Sequence, residues 1–183
     1  MTKLAFIMLG AAAMFTPALH AQAASKGPAV AKKAAAPSMH VEANLLQLMR
    51  GILYPASNVI FAAQGDNPAD VKPAKDPATA TDPLASTYGG WQAIENAALA
   101  LAEGANLLTL PGRKCGNGIA VPISNPDWPK FVQGLREAGM KAYQAAQSKN
   151  QDKILDAADA MTTACANCHH KWREKPTPEG RCR

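Results

Sequence analysis

The sequence predicts an all-α fold: an antiparallel four-helix bundle with two long inter-helix connections. Three observations carry the prediction. Apolar residues recur three and four apart over four separate stretches. No stretch alternates apolar and polar residues between hairpin turns, as a half-buried strand would. Four amphipathic helices of similar length, each apolar on one side, bury those sides best against one another.

The first helix is predicted from about Val41 to Ala63. Val41, Leu45, Met49, Ile52 and Val59 follow helical spacing, and Leu46, Leu48 and Leu53 widen the stripe. Pro55 should kink or divide this helix, because proline lacks a donor and clashes one turn back. Residues 64–89 carry prolines at 68, 73, 77 and 83 and form the first long connection. The second helix runs from about Gly90 to Leu108, with Trp91, Ile94, Ala98, Leu101, Ala105 and Leu108 on its stripe. Pro111-Gly112 ends it. Residues 113–125 form the second connection, which holds Cys115. The third helix begins at Asp127, a residue type that caps helix starts, and runs to Ser148. Trp128, Phe131, Leu135, Ala138 and Ala142 form its apolar side, and Met140 is assigned to the core. The fourth begins at Asn150 or Gln151 and runs to about Glu174, where Pro176 and Pro178 stop it. Ile154, Ala158, Met161 and Cys165 share one stripe. The alanine content allows close helix approach and leaves central room for something other than side chains, although alanine is common in ordinary bundles.

The N-terminus reads as a targeting segment. Met1-Thr2-Lys3, an apolar run from Leu4 to Phe15 and Ala21-Gln22-Ala23 make a secretory signal peptide over residues 1–23. An uncleaved anchor is the alternative, but Pro17 and His20 interrupt the run early. Residues 24–37, rich in Ala, Lys and Pro, read as a disordered tether. The folded domain is then 38–183, in the periplasm and without stable membrane insertion. The chain has nineteen Lys and Arg against fourteen Asp and Glu, a formal charge of +5. From Ser38 onward the count is fifteen against fourteen. The basic excess lies outside the fold, which argues against nucleic acid as a partner.

The stretch that carries chemistry is Cys165-Ala166-Asn167-Cys168-His169, a C-x-x-C-H run. On a helix, positions i, i+3 and i+4 share a face. Two thiols can therefore add to the vinyl groups of one haem c while the imidazole of His169 ligates its iron. Export agrees with covalent haem attachment. A zinc site would need a second ligand pair at zinc spacing. A thioredoxin-like pair would need a βαβ setting. A disulfide between Cys165 and Cys168 would strain a continuous helix. Paired carboxylates, serine-histidine sets and phosphate-cradling glycine loops are absent from the sequence, and Glu95 and Glu103 read as a solvated face.

A C-terminal C-x-x-C-H on the last helix of a bundle resembles the class II c-type cytochromes, meaning cytochrome c′ and its low-spin relatives. The likeness extends to Arg173, which the resemblance places near the haem propionates, with Trp172 where the family commonly has tyrosine. The Leu46-Gln47-Leu48-Met49 run is similar to the family's distal segment. The resemblance implies Leu46 over the iron, with Met49 one turn on and able to ligate after a one-turn shift. Core filler is the favoured reading of Met49, as methionine often packs that way. Met39 and His40 precede the helix and would have to fold back. Met161 shares the proximal side, and His170 points about 100° from His169 around the helix. An electron carrier with redox partner proteins is the function implied. The alternative is a five-coordinate site binding small gases, nitric oxide or carbon monoxide. A peroxidase would need a polar distal pair, for which only Glu42 and Asn44 offer themselves. The family also implies a homodimer through its first two helices. The long connections and the C-terminal extension depart from the family.

Cys115 and Cys182 remain once the haem pair is removed. An even count in an exported chain points to one disulfide, with intermolecular pairing or free thiols as the alternatives. Lys171, Arg173, Lys175, Arg181 and Arg183 make the end of the fourth helix positive. That charge would steer acidic partners, or simply complement the helix dipole.

Overall fold

The computed structural model describes residues 39–174, Thr177 and residues 180–183. The signal-peptide and tether assignments fall outside the described residues. Within them the chain is helical, with no strand beyond a single antiparallel bridge between Lys114 and Ala120. No described helix is long and apolar enough to cross a membrane.

The first helical rod has three parts: α1 over Leu45–Leu48, a π-helical turn over Met49–Leu53, and α2 over Tyr54–Ala62. Asn44 starts it with a reciprocal cap. Its side chain accepts from the Gln47 N–H at 2.8 Å, and the Gln47 side chain accepts from the Asn44 N–H at 2.9 Å. Val41 therefore precedes the helix that the periodicity had included it in. Pro55 does not end the rod. It sits in the first turn of α2, where its missing donor costs little, and the widened turn lies just ahead of it. The extra residue in that turn shifts the buried face. Leu45, Leu48, Leu53, Ala56, Ile60 and Ala63 are buried, while Ile52, expected on the stripe, is 40 % exposed.

The remaining helices follow the predicted stripes closely: α3 over Trp91–Leu107, α4 over Trp128–Ser148 and α5 over Gln151–His169. A second π turn, His170–Glu174, extends α5. Gly90 opens α3 at φ +61 with the Pro68 backbone pressed against it, a place only glycine fits. Buried Pro68 and Leu84 anchor the long first connection there. Asp127 stands at the start of α4, but its side chain does not cap; it pairs instead with Lys130 and Lys171. Lys149 turns the chain in a left-handed conformation, φ 49, and Asn150 caps α5 through the Lys153 N–H.

The first rod packs on α3 and α5, α3 packs on α4, and α4 packs on α5. The α3–α4 pair is very close. A Cβ on Gly139 would lie 3.0 Å from both the Ala102 nitrogen and the Ala98 carbonyl oxygen. Trp128 fixes the join, its indole N–H donating to the Leu108 carbonyl at 2.9 Å. Arg113 is buried and gives its guanidinium to the carbonyls of Leu107 and Ala43, tying the second connection to α3 and to the chain ahead of α1. Met161 is fully buried, whereas Met140 is 37 % exposed rather than in the core. Position 140 lies just off the buried face defined by Ala138, Gly139 and Ala142.

Candidate functional site

A cavity of about 420 Å³ lies between the first rod and α5, within the usual size range of small-molecule sites. One wall is the end of α5. Alanines and a final turn of π helix keep this segment helical, so Cys165, Cys168 and His169 share a face and all three line the cavity. The two thiols are unbridged. Burial raises the Cys165 thiol pKa. Burial, then the neighbouring Cys165, pushes Cys168 up to about 11. Both are protonated at neutral pH, unlike the low-pKa thiolates of redox pairs. His169 is shifted the other way. Burial lowers its pKa first and Arg173 adds to this, against the opposing pull of Glu174. A neutral imidazole keeps the lone pair that a metal ligand needs.

The facing wall is the first rod. Leu46, Met49, Leu53 and Ser57 line it, so both sequence-assigned distal residues reach the cavity. The π turn carries Met49 and Arg50 on this wall, and the second π turn carries Trp172 and Arg173 on the other. Such turns recur at functional sites because they re-aim side chains. The floor is aromatic. Trp128 and Trp172 rings lie 5.7 Å apart, and Phe131 meets Trp172 edge-on at 6.5 Å. Lys171 lies over Trp172 and pairs with Asp127, holding the second π turn against the start of α4. No residue of the 64–89 connection lines the cavity.

The cavity mouth is basic. Arg50, Arg173, Arg181 and Arg183 line an adjoining recess of about 490 Å³, with Glu174 the one acidic side chain on it among the described residues. Glu174 pairs with Arg173 at 3.0 Å and with His170 at 3.5 Å, so His170 faces solvent and an acid rather than the cavity. The indole N–H of Trp172 is buried without a partner among the described residues. Met39 is 71 % exposed, and neither it nor His40 lines the cavity.

These residues fit a haem. The set offers two thiols and a neutral imidazole on one wall, apolar surface opposite, and cationic donors at one edge. Among the described residues no group of three or more His, Cys, Asp or Glu is placed to hold a metal ion. A haem iron asks the chain for axial ligands only, since the macrocycle supplies the other four. Cys115 and Cys182 form a disulfide, with Cα atoms 5.1 Å apart. Arg50 is the mouth residue that sequence reasoning passed over. It sits beside Met49 on the rod, and an arginine flanking an apolar stripe carries no signal of its own. Set against known families, curated proteins and solved structures, the chain matches no family model, no curated protein and no solved structure.

Proposed function

We propose that this chain is a periplasmic monohaem c-type cytochrome of the cytochrome c′ kind, an electron carrier built on an antiparallel four-helix bundle. The observation that carries the reading is the placement of Cys165, Cys168 and His169 on one wall of an apolar cavity. Two further features support it. The two-residue link between α4 and α5, which pack on each other, favours an antiparallel course. The Cys115–Cys182 disulfide suits an oxidising compartment.

When bound, haem supplies the one-electron chemistry of iron. The chain's residues do the rest. Cys165 and Cys168 would hold the group covalently, and His169 would ligate its iron. Arg173 and Arg50 neutralise carboxylates at the edge. The aromatic floor of Trp128, Phe131 and Trp172 excludes water, which lowers the local dielectric and so tunes the potential. Met49 and Leu46 compete for the distal position. Ligation by Met49 would favour an electron carrier; Leu46 at that place would leave room for nitric oxide or carbon monoxide.

The test is the visible spectrum of protein from a host that attaches haem, ferric and ferrous, with and without carbon monoxide. The expected result is covalent haem with a sharp low-spin ferrous spectrum indifferent to carbon monoxide. A high-spin spectrum that shifts with carbon monoxide would assign the site to gas binding. Absence of haem absorption would remove the reading.

A further inference from the structure

The end of the chain returns to the cavity and joins its two walls. Cys182 is bonded to Cys115. On one side, the Cys182 N–H donates to the Trp172 carbonyl at 2.9 Å, which roots the bond in the second π turn. On the other, the Leu45 N–H at the start of α1 donates to the Lys114 carbonyl at 2.8 Å. Arg113, one residue further back, gives its guanidinium to the Ala43 carbonyl ahead of α1 and to the Leu107 carbonyl at the end of α3. The turn between is closed on itself. The Cys115 N–H donates to the Ile119 carbonyl at 2.8 Å, and the Gly118 N–H donates to the Cys115 carbonyl at 3.0 Å. Gly116 makes room for the tail. A Cβ there would stand 2.5 Å from the Arg183 carbonyl oxygen and 3.0 Å from the Leu46 Cβ. A path one residue wide therefore runs from Leu45 through Lys114, Cys115 and Cys182 to Trp172.

We propose, resting on the haem reading above, that this path is a strap that sets the spacing of the cavity's walls. Cys115 and Cys182 are positioning residues: they hold Leu46 and Met49 down on the distal side of the bound group and keep small ligands out. The far end of the same pair of helices is joined in another way. There α2 packs on α5, and the Gln151 side-chain amide donates to the Ala63 carbonyl at 2.9 Å. At the cavity end the first rod faces α5 across open volume. Side chains on opposite sides of a gap share no contacts, so packing cannot set their distance. A covalent tie can. The tie is permanent rather than a switch, because Cys115 is 1 % and Cys182 9 % exposed, out of reach of an attacking thiolate. Its hold is geometric and needs no charge. Lifting α1 away from the group is a local opening. A ligand that binds only the open form meets the site in proportion to the fraction open.

The test measures the rate of carbon monoxide binding to the ferrous, haem-loaded protein by stopped-flow absorbance. Wild type sets the baseline, whether slow or absent. Cys115→Ser/Cys182→Ser severs the strap and alters no charge. It should bind carbon monoxide at least about tenfold faster, as a tenfold larger open fraction gives. Amide exchange over residues 45–49 should quicken by a like factor. Gln151→Ala loosens the opposite end of the rod. It should lower the melting temperature and leave both readings unchanged. An unmoved rate in the serine pair overturns the proposal, as does an equal rise in Gln151→Ala. Faster binding without faster exchange at 45–49 overturns the route through the first rod. If the serine pair does not fold, Gly116→Ala, which keeps both cysteines and pushes the tail off Leu46, decides by the same readings. Wild-type protein without covalent haem would sink the underlying reading instead, so the two failures are told apart.

Discussion

If the cavity holds haem as proposed, withholding it should leave this chain without a cooperative fold. The group would fill a cavity of about 420 Å³. Residual cavities in protein cores cost about 24 cal/mol per Å³, so an empty one here carries a penalty on the order of 10 kcal/mol. The mouth is open to water, which makes that figure a ceiling. Half of it, about 5 kcal/mol, still equals the whole stability of a weak domain. The assay compares the folded domain made in a host without haem attachment, then oxidised to form Cys115–Cys182, with the haem-loaded form. Far-ultraviolet circular dichroism, urea titration and binding of a hydrophobic dye are read on both. The haem-free chain should keep much of its helix, bind the dye and unfold over a broad range of urea, as a loosely packed state does. A haem-free chain that unfolds cooperatively at the same urea concentration as the loaded form would refute the reasoning. It would mean that the walls collapse on each other and the cavity needs no occupant.

Three other outcomes follow from the fold. Replacing Cys115 with serine opens a closed loop of 67-residue separation, worth about 4 kcal/mol in chain entropy; the haem-loaded protein should melt roughly 10–15 °C lower. Asp127 is held down to about 2, first by its hydrogen bonds to Lys171 and Lys130 and then by their charges. Because its folded pKa lies below the unfolded value near ~3.9, its contribution is present above that value and is lost as pH falls toward 2. Melting temperatures of wild type and Asp127→Asn should therefore differ at pH 6 and converge near pH 2. Lys149 occupies a left-handed conformation at φ 49, which costs an L-residue roughly 1–2 kcal/mol. Lys149→Gly should raise the urea midpoint with an unchanged slope, and a lowered midpoint would contradict this.

The sequence made α3, α4 and α5 legible because their buried residues keep a helical period and their ends carry Gly90, Pro111-Gly112, Asn150 and the late prolines. The first rod was less legible. A π turn adds a residue without a signature of its own, so Ile52 turned outward while Leu53, also on the expected stripe, stayed buried. Asp127 looked like a cap, yet two lysines compete for its carboxylate, and one of them, Lys171, lies 44 residues away in sequence. The C-x-x-C-H wall was readable because its spacing is local. The mouth was readable only in part: Arg173, Arg181 and Arg183 stood out as a positive end of the last helix, but Arg50 comes from the first rod, which only the fold brings to them.

The close α3–α4 contact has a consequence for how the molecule breathes. Where Gly139 meets Ala98 and Ala102, two backbones nearly touch and no side chain can yield. The packing is therefore uneven: α3 and α4 meet backbone to backbone, while the first rod faces α5 across a cavity. Amide exchange should be slowest along α3 and α4, and amides such as those near Met49 should report first on any change in what the cavity holds. Substitutions that enlarge or shrink the contents would be absorbed by the rod alone, leaving the α3–α4 seam as the fixed reference against which the site can change.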